Sequence, residues 1–174
     1  MNARPFPAVA GSLRIEKAAI LYDQFEIFLT AKEWMDRVPM WAGEPVEWKV
    51  NSWRFDLLRL GSRFEAWRAL EESADVRLIV VTFRKVGDSA NELVNWLVHW
   101  TALRQRTDAQ LIVMPFGPEG GAMETASLCG DLRRLAGVRS LSFSVVGIES
   151  WRQDVPGMRP VYAGPAGMEC EAQA

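Results

Sequence analysis

Apolar positions along this chain follow two alternating periods, one typical of strands and one typical of helices. Residues 75–83 read DVRLIVVTF, with an unbroken apolar run from Leu78 to Val81. A strand with one face in water alternates apolar and polar residues, so an unbroken run indicates a strand that is covered on both faces. We therefore predict that this segment is the central strand of a parallel sheet.

Four further runs have the length and apolar content of strands. The segment VEWKV alternates, with Glu47 and Lys49 pointing outward, which predicts an edge strand. The others are mostly aliphatic, and the last alternates only in its first half. The four predicted strands are residues 17–23, 46–50, 110–116 and 141–148.

Between these runs the apolar spacing lengthens to i, i+3, i+4 and i+7, the period of amphipathic helices. Four helices are predicted, over residues 24–38, 62–74, 90–104 and 122–136. The order βαβαβαβαβ implies a single α/β domain with three layers, α/β/α, in which helices cover both faces of a five-stranded parallel sheet.

The second predicted helix has a distinct start and a distinct apolar stripe. Ser62 with an acid three residues later matches a capping box. Large apolar groups at Phe64, Trp67 and Leu70, followed by Ala74, then predict its inner face.

Composition narrows the range of functions. The chain has 174 residues with 20 basic and 22 acidic groups, a formal net charge of −2. No field of one sign is present to attract nucleic acid or acidic lipid, so neither partner is expected.

No run of apolar residues is long enough to cross a membrane, and the two cysteines are predicted to be free thiols in the cytoplasm. Residues 1–14 are predicted to be a flexible arm, residues 15–150 the domain and residues 151–174 a Pro/Gly-rich tail.

The element order, the strand lengths and the acid that closes the first strand, Asp23, give the chain a family likeness. It resembles the receiver domains of bacterial response regulators, in the flavodoxin-like α/β group, over residues 17–149. It is also similar to uncharacterised bacterial receiver-like proteins that share Tyr22-Asp23, a WxFD motif at residues 53–56 and the aliphatic central strand. The resemblance implies the strand order 2-1-3-4-5.

The chain departs from the receiver pattern at each position that carries phosphotransfer. The first strand ends in one acid rather than a pair, and the central strand ends in Thr82, Phe83 and Arg84 without a phosphate-accepting aspartate. Met114 stands where receivers have Ser or Thr, and residues 146–149 lack the lysine. Mg²⁺ prefers carboxylate ligands, so phosphotransfer is not expected. We predict a non-catalytic, receiver-like signalling module that binds a protein partner or a second copy of itself, needs no cofactor and holds no metal.

Ligands of open α/β sheets bind at the carboxyl ends of the strands, near the point where the strand order reverses. A small-molecule ligand or substrate there, in a polar pocket with aromatic walls, is the alternative function. The alternative without a ligand is a structural ion pair of Asp23 or Asp56 with Arg84 that closes the site. The candidate pocket residues are Tyr22, Asp23, Trp53, Asp56, Thr82, Arg84 and Phe116.

Tryptophan is frequent in this chain, with eight residues. Trp41, Trp48 and Trp151 have no clear place in the predicted core, and aromatic side chains are enriched at protein interfaces. These three are candidate interface residues, with local packing under loops as the alternative. His99, the only histidine, is predicted to be exposed and structural.

Overall fold

In the computed structural model of the chain, the structure describes residues 13–37, 40–41, 44–61, 64–85, 87–116 and 122–147. These ranges contain six strands, four α-helices and one 3₁₀ turn. The strands are β1 (Arg14–Tyr22), β2 (Met40–Trp41), β3 (Glu44–Arg54), β4 (Leu78–Phe83), β5 (Gln110–Pro115) and β6 (Ser142–Val145). The helices are α1 (Phe25–Asp36), α2 (Phe64–Glu72), α3 (Ala90–Leu103) and α4 (Ala122–Val138), with the 3₁₀ turn at Phe55–Leu57.

Five parallel strands form the sheet, in the spatial order β3-β1-β4-β5-β6. Counted along the chain, those five strands have the predicted order 2-1-3-4-5, with helices on both faces. The fold is therefore a three-layer α/β/α flavodoxin-like fold, and that prediction is confirmed. The two-residue strand β2 adds an antiparallel pair to the outer edge of β3, which the sequence pattern did not indicate.

The central strand lies where the pattern placed it. All six residues of β4 are buried, and β4 pairs with β1 on one side and with β5 on the other. Alternate side chains of β4 point to opposite faces, so two separate apolar cores form. One lies between the sheet and α1, and the other lies between the sheet and α2, α3 and α4.

The inner face of α2 differs from the prediction. Ala66, Ala69 and Leu70 are buried, whereas Phe64 and Trp67 are exposed, so the predicted apolar stripe is wrong at those two residues. The reason is volume: Trp96 of α3 is completely buried and donates its indole N–H to the carbonyl oxygen of Ala66 at 3.0 Å. The ring fills the space next to Ala66, so a large side chain of α2 does not fit at that point.

The chain ends contribute little to the described structure. Strand β1 begins at Arg14, and most of the predicted arm, the whole predicted tail, Trp151 and the predicted cap Ser62 lie outside the described residues. Within the described ranges, none of the helices has the length and apolar content needed to cross a membrane.

Candidate functional site

The strand order reverses between β1 and β4, so their carboxyl ends mark the position where ligands of this fold usually bind. We call this position the switch point. It is formed by Tyr22 at the end of β1, by Asp23 directly after it, and by Arg84 and Lys85 after β4. Because neighbouring parallel strands end side by side, the β1–α1 loop and the β4–α3 loop meet there.

Asp23 joins these two loops. Its Oδ2 atom accepts hydrogen bonds from the backbone N–H groups of Arg84 at 3.0 Å and of Lys85 at 3.2 Å. Its Oδ1 atom is buried and has no hydrogen-bond partner within the described part of the chain. The acid that closes the first strand therefore caps the β4–α3 loop through Oδ2, while its other oxygen is buried.

Loss of the Asp23 carboxylate should loosen the β4–α3 loop. We expect Asp23→Ala to lower the free energy of unfolding by about 1–3 kcal/mol, because two N–H groups lose a charged acceptor. Hydrogen exchange should speed up at the amides of Arg84 and Lys85 and stay unchanged in β5. Asp23→Asn keeps an acceptor and should retain most of the protection. Unchanged exchange in the alanine variant would contradict the capping role.

Two other polar candidates are also engaged within the chain. Thr82 is completely buried and donates from Oγ1 to the carbonyl oxygen of Met114 at 3.2 Å. Asp56 forms a two-point ion pair with Arg54, with Nε and Oδ1 2.9 Å apart. Hydrogen bonding to this carboxylate raises the pKa of Arg54 above its ordinary value. Within the described ranges the guanidinium of Arg84 makes no ion pair, so neither acid closes the site through that side chain.

The aromatic candidates lie on different faces of the sheet. The ring of Tyr22 lies 5.2 Å from that of Phe28 on α1, and Phe116 packs into the core beneath α1. Trp53 packs on the opposite face, where the guanidinium of Arg68 lies 5.7 Å from its ring centroid. The structure brings Tyr22, Asp23 and Arg84 to the switch point but does not gather all seven candidates into one pocket.

Two clefts lie away from the switch-point residues themselves. A cleft of about 120 Å³ lies beside the switch point, between the 3₁₀ turn and α3, and is smaller than the roughly 300–1,000 Å³ of ordinary ligand pockets. It is lined by Phe55, Asp56, Arg59, Ser89 and Glu92.

A larger cleft, of about 390 Å³, lies at the amino edge of the sheet beside the end of α2. Charged and polar groups of both signs line it, which differs from the mostly apolar walls of typical ligand pockets. Its lining residues are Lys17, Lys49, Asn51, Glu71, Glu72, Ala74, Asp75 and Gln105. The described residues contain no group of three or more His, Cys, Asp or Glu side chains placed to hold a metal ion.

A buried ionic cluster also lies at the amino edge, on the α1 side. Glu16 of β1 is only 3% exposed and accepts from Arg77 at 2.8 Å and from Arg106 at 2.9 Å, with Arg14 at 2.5 Å. Asp108 bonds Arg106 through both oxygens, each at 2.8 Å. The cluster joins β1 to the segments that precede β4 and β5. Sequence reasoning missed it, and the one available signal was an acid on an otherwise apolar strand.

Asp108 should make stability depend on pH. The hydrogen bond from Arg106 lowers the pKa of Asp108 from 3.8 to about 2. A lowered folded-state pKa adds stability above about pH 4, and this stability is lost as the pH falls from about 4 towards 2. The side chain is 48% exposed, so screening keeps the contribution below about 1 kcal/mol. In urea unfolding, the stability difference between wild type and Asp108→Asn should shrink below pH 4. A constant difference from pH 2 to 6 would contradict this.

Exposed apolar side chains gather on the outer surface of α2 and α3. Phe64 is 80% exposed, Trp67 48% and Leu103 50%. The ring of Trp67 meets that of His99 edge-on at 6.4 Å, and His99 and Leu103 are one turn apart on α3. We call these four residues the α2–α3 strip. The predicted exposure of His99 is confirmed. Sequence reasoning missed the strip because it assigned Phe64 and Trp67 to the core.

The three candidate interface tryptophans are placed less completely. Trp48 is half-buried against the core beneath α1. Trp41 contributes its backbone to β2, and its side chain lies outside the described part of the structure, as does all of Trp151. The structure does not bring these three residues together.

The comparisons with known proteins found no match. The chain matches no protein-family model and no curated protein sequence.

Proposed function

We propose that this chain is a non-catalytic, receiver-like module that acts by binding another protein or a second copy of itself. The observation that carries the proposal is the α2–α3 strip. A contiguous group of exposed large apolar side chains typically marks an interaction surface. Aromatic residues are also over-represented at the centres of protein interfaces.

The arrangement of the switch point supports a role without chemistry. Acyl-phosphate chemistry needs an aspartate at the end of the central strand, where this chain has Thr82 and Arg84. The nearby acid, Asp23, is held by two backbone amides, and Thr82 is buried. The adjoining cleft of about 120 Å³ is small for a metabolite.

The test compares surface variants in a binding experiment. Wild-type protein and the double variant Phe64→Ser/Trp67→Ser are used side by side to isolate partners from the source cells, and light scattering measures self-association of each. Any partner is then purified and its affinity measured by calorimetry. We expect binding by the wild type that the double variant weakens at least tenfold, about 1.4 kcal/mol.

Met123→Ser is the matched control, because Met123 is also 80% exposed but lies on α4. It should bind as the wild type does. Turnover of an acyl phosphate in the presence of Mg²⁺, or partner binding that is unaffected in the double variant, would contradict the proposal.

A further inference from the structure

We infer that the α2–α3 strip receives a basic amphipathic segment of the partner protein, with lysine or arginine beside its apolar stripe. This inference rests on the proposed function and adds the chemistry of the partner. Apolar side chains on the partner would cover Phe64, Trp67 and Leu103. Its cations would lie against the acidic end of α2.

The strip has the shape of a helix-binding surface. Phe64 and Trp67 are three residues apart on α2, and His99 and Leu103 are four apart on α3. Contact between the rings of Trp67 and His99 joins the two pairs across the helices. An amphipathic helix presents apolar anchors at the same i, i+3 and i+4 spacing, so it can lie along such a surface.

The charges around the strip favour a basic occupant. Glu65 and Glu71 of α2 are exposed and form no ion pair within the described part of the chain. The neighbouring cation Arg68 is already occupied, because its Nε donates to Glu72 at 2.7 Å and its guanidinium lies over the ring of Trp53. Among the described residues bordering the strip on α2, acidic groups are therefore the ones still available to pair.

The ends of both helices add to this preference. The backbone carbonyls at a helix C-terminus carry partial negative charge, which favours a cation in the last turn. Neither α2 nor α3 has a basic residue in its last turn, and α2 has Glu71 and Glu72 there instead. Arg104 follows as the C-cap of α3, and its guanidinium donates to the carbonyl oxygen of Arg139. A partner cation at the end of α2 would pair with Glu71 and with the negative end of that helix.

The same charges disfavour two other occupants. In a symmetric dimer through α2, the acidic ends would face copies of the same surface, and like charges in an interface are unfavourable. An anionic membrane would be repelled as well. A basic amphipathic segment would cover the apolar side chains and would also form ion pairs with the unpaired acids.

The test uses three designed, fluorescently labelled helical peptides that share one leucine stripe and carry lysine, glutamate or glutamine at the outer positions. Binding to the full chain is followed by anisotropy at low and moderate salt. We expect the lysine peptide to bind at least tenfold more tightly than the glutamate peptide. Its affinity should fall at least tenfold in Trp67→Ala and several-fold in Glu71→Gln, with a weaker salt dependence in the latter.

Two variants serve as controls. Met123→Ala and Glu26→Gln change an exposed apolar and an exposed acidic residue away from the strip and should bind as the wild type does. Equal binding of all three peptides, or self-association that Trp67→Ala abolishes, would overturn the basic partner while leaving the proposed function standing. If no peptide binds and a purified partner is indifferent to Trp67→Ala, both the inference and the proposed function fail.

Discussion

Replacing Trp96 with alanine is expected to lower the free energy of unfolding by about 3–5 kcal/mol. Trp96 is completely buried between α2 and the sheet, and its indole N–H bonds the carbonyl oxygen of Ala66. Alanine would leave a cavity that its surroundings cannot fill, because the neighbouring residue on α2, Ala66, is small. Urea unfolding of both proteins measures the difference.

Two companion variants separate volume from hydrogen bonding. Trp96→Phe keeps an aromatic ring but removes the indole donor to the Ala66 carbonyl, so a loss of about 1–3 kcal/mol is expected. Trp67→Ala, on the exposed surface of α2, should cost less than about 1 kcal/mol. Equal losses for Trp96→Ala and Trp67→Ala would mean that Trp67 belongs to the core, as the sequence pattern suggested.

Replacing Glu16 with glutamine is expected to cost about 3–5 kcal/mol, because it removes the buried partner of Arg77 and Arg106. Both guanidiniums would keep their positive charge in a partly buried site. Glutamine has the same shape, so the loss would report the charge rather than the packing. Chemical denaturation at neutral pH measures the effect.

A double variant and a surface control sharpen this prediction. Removing Arg77 as well, in Glu16→Gln/Arg77→Gln, should recover part of the loss, since one of the cations that lost Glu16 as a partner disappears. Glu33→Gln breaks an exposed pair with Arg37 and should cost no more than about 0.5 kcal/mol. If Glu16→Gln costs as little as Glu33→Gln, the cluster does not stabilise the fold.

The layers of the fold could be read from the sequence because both periods are strong in it. An unbroken aliphatic run at β4 permits only a strand covered on both faces, and helical spacing around it supplies the two covering layers. The order of the parallel strands did not come from periodicity. It was implied by the resemblance to receiver domains, and the parallel strands of the sheet have that order.

Other features could not be predicted because they depend on contacts distant in the sequence. Residues on α2 offer two apolar stripes, and the volume of Trp96 on α3 decides which one turns inward. Glu16 is buried because Arg77 and Arg106, more than sixty residues away in sequence, reach it. No local pattern contains either fact.

The candidate site was predictable only in part. The position of Asp23 at the end of β1 followed from the pattern, but its partners are backbone amides of another loop, which have no sequence signature. The predicted pocket combined residues at the ends of successive strands. Side chains alternate between the two faces along a strand, so Trp53 lies on the face opposite Tyr22. The α2–α3 strip was not predicted, because the helical spacing of α2 assigned Phe64 and Trp67 to the core.

The affinity of a purified partner for three forms of the chain tests the central claim most directly. Calorimetry would compare wild type, Trp67→Ala and Asp23→Asn, the last of which keeps an acceptor for the β4–α3 loop. Binding through the α2–α3 strip predicts at least a tenfold loss in Trp67→Ala and an unchanged affinity in Asp23→Asn. The opposite result, with binding lost in Asp23→Asn and retained in Trp67→Ala, would place the working surface at the switch point and contradict the account.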